Sequence, residues 1–178
     1  INMIKLIKPS EEYFLQYKEM MDEWLMEGSR VDPWSLDLKY HTKEYFKQML
    51  KRVQEAERGE NIGEYPPSTT YWLYDDKKDI IIGCSNLRHY LRGDAEKIWG
   101  HIGYGIRPSQ RRKGYGKLLL KLTLEEAKKR GIDKVLLAAY VGNIPSWKLI
   151  EKCGGKFEKI VYEEKTGLPA KRYWIDIK

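Results

Sequence analysis

The sequence of 178 residues is poor in cysteine and lacks long apolar runs. Its two cysteines, Cys84 and Cys153, are too few for a disulfide framework and lack metal-ligand spacing, which predicts reduced thiols in a cytoplasmic protein. No stretch approaches the roughly 18 apolar residues of a membrane span. The start, INMIKLIKPSEEY, lacks the apolar core and cleavage site of a signal peptide. We therefore expect no membrane association and no metal site.

The chain also lacks a continuous block of positive charge, although its formal net charge is +7 and its pI is about 9.2. This excess indicates an anionic partner, either nucleic acid or a phosphorylated cofactor. Acidic and basic residues are interleaved, as in EEAKKR and YEEKTG, which is typical of a solvated surface. Nucleic acid is therefore not the expected partner, although a nucleic-acid-binding domain remains an alternative.

Hydrophobic patterns predict one strand, two helices, three strands, a helix, a strand, a helix and two final strands. The predicted elements are a strand over 3–8, helices over 10–27 and 42–58, the hairpin strands TTYWLYD and IIIGCSNLRHYL, the strand IWGHIGYGIRP, a helix over 114–130, the strand KVLLAAY, the helix NIPSWKLIEKCGG, and the strands GKFEKIVYEE and AKRYWIDIK. This order predicts one α/β domain over residues 1–178, with a mixed, mostly antiparallel central sheet flanked by helices.

The stretch RRKGYG, residues 111–116, places Gly114 and Gly116 where a strand passes into a helix. Glycine costs stability at such a point, so a compensating interaction is expected. The first turn of a helix exposes unpaired N–H groups and about half a positive charge, and a missing Cβ lets an anion approach the backbone. Arg111, Arg112 and Lys113 add positive charge. The turn therefore predicts a bound pyrophosphate, with an ordinary basic turn as the alternative.

Two common phosphate-binding patterns do not fit this turn. The P-loop pattern fails because Arg111 replaces its first glycine and Leu118 replaces its hydroxyl residue. The dinucleotide pattern fails because Leu119 replaces its third glycine.

The pattern R-x-x-G-x-G in RRKGYG resembles the acyl-CoA signature of the GNAT N-acetyltransferases. IGYGIRPSQRRKGYGKLLL resembles that family's strand, loop and helix, and VLLAAYVGNIPSWKLIEKCGGKF resembles its following strand and N-x-x-[AS]-x-x-x-x-E-K-x-G helix. The resemblance implies a fold in which the parallel strands IGYGI and VLLAAY splay apart. It also implies acetyl-CoA as co-substrate and direct acetyl transfer to a primary amine within a ternary complex.

The resemblance assigns cofactor contacts residue by residue. It implies that the backbone of Arg112, Lys113, Gly114, Tyr115, Gly116 and Lys117 cradles the pyrophosphate within the field of Arg111, while the pantetheine arm contacts Ile106, Asn143 and Ser146. Asn143 and Ser146 also suit a helix start, which is the structural alternative. Residues 1–66 would shape the acceptor site, and residues 67–178 would form the acyl-CoA-binding core.

The catalytic groups are less well marked. His101 is the first choice for the general base, because strand alternation places it on one face with Gly103 and Gly105, which predicts a slot for a ligand. His89 is the second choice. A structural role for His101 remains equally open.

The family's usual acid is a tyrosine in the helix after Asn143, but Ile150 stands at that position, and Gly155 replaces the usual phenylalanine. Tyr140 is the substitute that we predict as general acid, with proton transfer from water as the alternative. Cys84 and Cys153 lack an evident activating base, which argues against a covalent acyl-cysteine.

The acceptor is a small-molecule or peptide amine, in a site walled by Trp34, the helix over 42–58 and residues 65–67. Tyr71, Trp72 and Trp99 are either core residues or part of that wall. A homodimer is possible, and a non-catalytic CoA-binding module is the main rival.

Overall fold

The computed structural model describes residues 4–36 and 39–178. Its strands are β1 Ile4–Ile7, β2 Ser68–Asp75, β3 Ile80–Arg88, β4 Ile102–Ile106, β5 Lys134–Tyr140, β6 Lys156–Tyr162 and β7 Pro169–Asp176, and its α-helices are α1 Phe14–Glu27, α2 Lys43–Arg58, α3 Tyr115–Lys129 and α4 Ile144–Lys152. The predicted order of elements is confirmed. The predicted first strand also included Met3, which lies outside the described residues.

The strands form two antiparallel sheets. One has the order β1-β2-β3-β4 and the other has the order β5-β7-β6. Helices pack on both sheets, so the predicted mixed, mostly antiparallel α/β fold is confirmed. In the part of the chain that the structure describes, no helix is long and apolar enough to cross a membrane.

Alternation along β2 separates the core into two sides. Trp72 is fully buried against α1 and α2, where its ring stacks on Tyr17 at 5.3 Å. Its neighbour Tyr71 points to the opposite side, toward the cluster of α3, β5 and β7. Side chains of successive strand residues point to opposite faces, which explains this division. Both aromatics are therefore core residues rather than parts of an acceptor wall.

Helix α2 begins and ends through local signals. The Thr42 side chain accepts a hydrogen bond from the Tyr45 N–H at 3.2 Å, and Gly59 ends the helix with a left-handed φ of 77°. Between them, Phe46, Met49, Leu50 and Val53 are buried, as the periodicity predicts. The apolar pattern of this helix also includes Tyr45, but this residue lies next to the cap and is 41% exposed.

Candidate active site

Strands β4 and β5 meet at one short junction. The His101 N–H donates to the Leu136 carbonyl at 2.7 Å, and the Leu136 N–H donates to His101 Nδ1 at 2.9 Å. Gly100, paired there with Leu137, has a φ of 71°, and a Cβ on it would overlap the Leu136 carbonyl. Beyond the junction, β4 pairs with β3 and β5 pairs with β7. The two strands therefore diverge into separate sheets.

A cavity of about 550 Å³ lies between the diverging strands. Residues 102–104 of β4 and 138–140 of β5 line it, and these residues follow the junction on both strands. Both strands thus leave the junction and line the same cavity. The divergence of IGYGI and VLLAAY that the resemblance implies is therefore observed, while the bridge that joins them, Gly100 to Leu137, is antiparallel. The polar lining of the cavity comprises Arg30, Asp32, Arg52, Glu55, Glu60, Asn61, Tyr65, Ser68, Arg88, Tyr104, Tyr140, Asn143, Ser146 and Glu163. Trp34 and Trp99 supply aromatic walls.

The glycines of β4 admit a loop rather than leave a slot. A Cβ on Gly105 would overlap the Asp32 carbonyl and come within 2.8 Å of the Trp24 ring, and one on Gly103 would lie 3.2 Å from the Pro33 side chain. The interpretation of these glycines as an empty slot beside His101 is therefore wrong. Glycine in a strand can also mark the close approach of another chain segment. Here that segment is residues 32–33.

The turn after β4 is fixed to α1 by ion pairs. Glu23 binds the Arg107 guanidinium at 2.6 Å and accepts hydrogen bonds from the Ser109 N–H and hydroxyl. Burial alone would raise the pKa of Glu23, but the bonds from Ser109 and Arg107 hold it below its ordinary value. Arg111 donates to the Ile106 carbonyl at 3.0 Å and to Glu27 at 3.0 Å. The predicted cation Arg111 is thus tied into the protein.

The two glycines of RRKGYG have different roles. Gly114 caps α3 with a left-handed φ of 84°, and a Cβ there would meet nothing within 4 Å. Gly116 lets α3 approach α4, because a Cβ on it would lie 3.1 Å from the Leu149 side chain. Arg112 and Lys113 are exposed beside the cap, and Arg112 also has a positive φ of 62°. The start of α3 is therefore open to solvent at Gly114, whereas at Gly116 it is packed against α4.

Of the predicted pantetheine residues, Asn143 and Ser146 line the cavity, whereas Ile106 lies outside the lining. The Asn143 side chain accepts from the Ser146 N–H at 3.3 Å, so it caps α4 while lining the cavity. The Tyr104 hydroxyl lies 3.0 Å from the Ser146 hydroxyl, so it bridges from β4 to α4 across the gap. Burial raises the pKa of Tyr104 to about 12. Ile106 ends β4 next to the turn.

The two departures from the family pattern compensate each other. Ile150 is fully buried, so it is a core residue at the position of the family's acid. A Cβ on Gly155 would lie 2.6 Å from an Ile150 methyl group. Glycine at 155 therefore accommodates the branched side chain at 150.

Tyr140 lies at the cavity end of β5. Its hydroxyl donates to Glu163 Oε2 at 2.7 Å, and the Arg30 guanidinium lies 5.1 Å from its ring centroid. Burial and the hydrogen bond to Glu163 raise the pKa of Tyr140, against a smaller lowering by Arg30. The hydroxyl therefore keeps its proton at neutral pH.

His101 is 6% exposed and lies in the junction rather than in the cavity lining. Burial, with a smaller contribution from the nearby Arg88 charge, lowers its pKa to about 4. His89 binds the Thr69 hydroxyl at 2.8 Å and is likewise outside the lining. A catalytic role for His101 stays a prediction, while its geometry supports a structural role in the junction.

Protonation of His101 is expected to destabilise the protein. Neutral Nδ1 accepts from the Leu136 N–H, and a protonated Nδ1 would oppose one donor with another. Because the folded pKa of about 4 is below the ordinary 6.5, this contribution is complete above pH 6.5 and is lost as the pH falls toward 4. We expect a loss of about 2 kcal/mol in the free energy of unfolding at about pH 5. Urea denaturation at about pH 7.5 and about pH 5 measures it.

The matched variant is His101→Asn, which keeps a side-chain acceptor but does not titrate in this range. Between about pH 7.5 and about pH 5, its free energy of unfolding should fall by about 2 kcal/mol less than that of the wild type. Equal losses in both proteins would show that other groups cause the acid sensitivity.

Five charged cavity residues were missed from the sequence: Arg30, Asp32, Glu60, Arg88 and Glu163. Burial raises the pKa of Asp32, and its ion pair with Arg30 at 3.3 Å counteracts part of that rise. No local pattern marks these positions, because they reach the cavity only through the packing of distant segments on β4 and β5. Of the residues expected to wall the acceptor site, Trp34, Tyr65 and Pro66 line the cavity, together with residues of α2.

Comparisons with known proteins agree on the fold. The model of the acetyltransferase (GNAT) family matches residues 19–155. The microcin C7 self-immunity acetyltransferase MccE was solved with acetyl-CoA and AMP. It has a TM-score of 0.72 at 15% identity, and the match covers 98% of this chain and 92% of the MccE chain. The acetyltransferase from Salmonella typhimurium that modifies the N-terminal serine of ribosomal protein L7/L12 has a TM-score of 0.69 at 13% identity, covering 97% and 94%.

A third similar structure is the spermidine/spermine N-acetyltransferase SpeG from Vibrio cholerae, in mutant forms, with a TM-score of 0.64 at 15% identity and coverage of 98% and 95%. At such identities these likenesses show the fold alone. No curated protein matches the chain by sequence.

The splayed strands, the glycine turn and the cavity between them define an acyl-CoA-dependent transferase fold. The chain belongs to the GNAT acetyltransferase family, whose model covers most of it. The family resemblance, the class of enzyme and acetyl-CoA as the family's co-substrate are thereby confirmed.

Proposed function

We propose that this protein transfers the acetyl group of acetyl-CoA to a primary amine by direct attack within a ternary complex. The observation that carries the proposal is the cavity between β4 and β5, lined by Asn143 and Ser146 of the predicted pantetheine residues and by charged groups from residues 30–66. This lining supports the predicted division into an acceptor region over 1–66 and a CoA-binding core over 67–178.

The pyrophosphate lies at the first turn of α3. The backbone N–H groups of residues 112–117 point at it, and the open space at Gly114 accommodates it. Arg112, Lys113 and Lys117 contribute positive charge at the surface, while Arg111 holds the turn on α1. The pantetheine arm runs along β4 from Ile106 into the gap, between β4 and the Asn143–Ser146 end of α4.

The reaction needs a base, because a lysine-like amine has a pKa of about 10.4 and is mostly protonated at neutral pH. Asp32 accepts that proton through water, because its carboxylate lines the cavity and its burial makes it more basic than an exposed aspartate. The alternative base, His101, lies in the junction outside the lining. The free amine then attacks the thioester carbonyl carbon, and a backbone N–H of β4 stabilises the oxyanion.

Collapse of the tetrahedral intermediate breaks the C–S bond and leaves the CoA thiolate. Tyr140 donates its proton to that sulfur, and Glu163 holds the phenol in place. A covalent acyl-cysteine is not part of the proposal. Burial raises the pKa of the Cys84 thiol to about 12 and also raises that of Cys153, so neither is a ready nucleophile.

An amine panel tests the proposal. The purified protein with acetyl-CoA is expected to release CoA thiol and form an acetylated product, identified by mass spectrometry, with at least one primary amine. Direct transfer predicts intersecting initial-rate lines when both substrates are varied, whereas a covalent intermediate gives parallel lines. Saturable acetyl-CoA binding without turnover on any amine would support the non-catalytic module instead. Affinity for nucleic acid that falls steeply with salt would support the second rival.

A further inference from the structure

Arg88 ends β3 beside the junction of β4 and β5. Its backbone N–H donates to the His101 carbonyl at 2.7 Å, and its Nη1 donates to the Gly100 carbonyl at 3.0 Å. Its side chain lines the cavity. The junction therefore holds this guanidinium in a fixed position at the wall.

Arg88 has no ion-pair partner among the residues that the structure describes. Within residues 4–36 and 39–178, no carboxylate lies within 4.0 Å of the guanidinium. Burial lowers its pKa to about 10, an effect that Tyr65 only partly offsets. A guanidinium has five N–H donors, and the bond to Gly100 uses one of them. Enclosed cations are costly unless an anion compensates them, so the cavity is prepared for an anion at this point.

The cavity carboxylates are already engaged with other groups. Asp32 pairs with Arg30 at 3.3 Å, Glu55 with Lys51 at 3.8 Å and Glu60 with Arg58 at 2.7 Å, while Glu163 accepts from Tyr140 at 2.7 Å. None of these groups neutralises Arg88. The cavity thus offers a cationic anchor, whereas its carboxylates already have other partners.

Acetyl-CoA does not supply the missing anion. The proposed function places its phosphates at the start of α3, beyond Ile106, whereas Arg88 lies at the Gly100 end of β4. Five residues of extended strand separate these ends by about 16 Å. The anion next to Arg88 therefore has to come with the acceptor.

We infer that the acceptor is an amine that also carries an oxyanion, a carboxylate or a phosphate, and that Arg88 pairs with this oxyanion while the amine faces the thioester. The inference rests on the proposed acetyl transfer. The planar guanidinium fork suits both anions, because each offers two oxygens for paired hydrogen bonds. Arg88 is thus a residue that determines acceptor specificity.

The experiment compares matched pairs of acceptors with the wild-type protein. Straight-chain ω-amino carboxylates of increasing length are paired with alkylamines of the same length, and phosphoethanolamine is paired with ethanolamine. The anionic member is expected to have the higher kcat/KM by roughly 10- to 100-fold, the range of a charged hydrogen-bonded pair. The preferred chain length reports the span from Arg88 to the thioester, and the phosphate pair separates the two anion types.

The variants are Arg88→Gln, Arg88→Lys and the control Arg130→Gln, whose arginine lies outside the cavity lining. In Arg88→Gln the ratio of kcat/KM between anionic and neutral acceptors should fall toward one. Arg88→Lys should keep part of the ratio, because it keeps the charge but loses the fork. Arg130→Gln should keep all of it. Calorimetric titration of acetyl-CoA shows whether each variant is folded.

The experiment distinguishes failure of the Arg88 inference from failure of the proposed acetyl transfer. Turnover of neutral amines as fast as their anionic partners by the wild type, or a preference unchanged in Arg88→Gln, would overturn the inference and leave acetyl transfer intact. The wild-type comparison decides the matter even if Arg88→Gln does not fold. Absence of turnover on every amine would overturn the proposed function, and the inference with it.

Discussion

Gly114→Glu is expected to abolish measurable binding of acetyl-CoA while the protein remains folded. The new carboxylate would project into the open space beside the first turn of α3, where the proposal places the pyrophosphate. Repulsion between these anions, together with obstruction of the backbone N–H groups, should raise the Kd at least about 100-fold. Calorimetric titration of acetyl-CoA measures this loss, and circular dichroism checks the fold.

The chain offers a matched control at the other end of the same helix. Gly131 also has a left-handed φ, of 78°, and a Cβ there meets nothing within 4 Å. Gly131→Glu therefore carries the same backbone strain of about 1–2 kcal/mol and the same added charge, but far from the proposed phosphate. If both variants bind acetyl-CoA as the wild type does, RRKGYG is an ordinary basic turn. If both lose binding, strain rather than the anion site is the cause.

The turn itself shows what sequence could predict. RRKGYG marks a glycine-rich helix start with positive charge, and both features are local, so they are visible without a fold. The distinction between Gly114 and Gly116 is not local, because it depends on Leu149 of α4 packing against only one of them. In the same way, sequence counts Arg111 as a free cation, but α1 brings Glu27 to it from 84 positions away.

The catalytic residues show the same limit. Strand alternation says which side chains share a face of β4, but it does not say which segment covers that face. Residues 32–33 cover it, so Gly103 and Gly105 make room for protein, and Asp32 gains a place in the cavity. His101 stands just before β4, in the junction, where the alternation of a strand no longer describes its direction. Arg88 belongs to a predicted strand, but the sequence does not show that its guanidinium lines the cavity without a carboxylate partner among the described residues.

Tyr140→Phe is expected to lower kcat by about 100-fold, because the departing thiolate would lose its proton donor. The wild-type acid must be protonated, and burial with the Glu163 hydrogen bond raises its pKa, so deprotonation of Tyr140 should lower activity only at the alkaline end of the pH profile. Steady-state kcat across that range measures both effects. A kcat within about twofold of the wild type would mean that water protonates the thiolate.

Glu163→Gln identifies the titrating group in the same measurement. Removing the carboxylate that accepts the hydrogen bond of the Tyr140 hydroxyl eliminates one cause of the raised pKa of Tyr140. The alkaline limb should therefore move to lower pH in Glu163→Gln and disappear in Tyr140→Phe. An alkaline limb that stays fixed in both variants belongs to another group.

Tyr104→Phe separates the two cavity tyrosines. The Tyr104 hydroxyl is bound to Ser146 at the pantetheine end, so its loss should raise the Kd for acetyl-CoA more than it lowers kcat. The opposite pattern, with kcat lost in Tyr104→Phe and retained in Tyr140→Phe, would mean that Tyr104 of β4 is the general acid. In that case a strand residue would have replaced the helix tyrosine whose position Ile150 occupies, and the hydrogen bond across the splay would be the path of the proton.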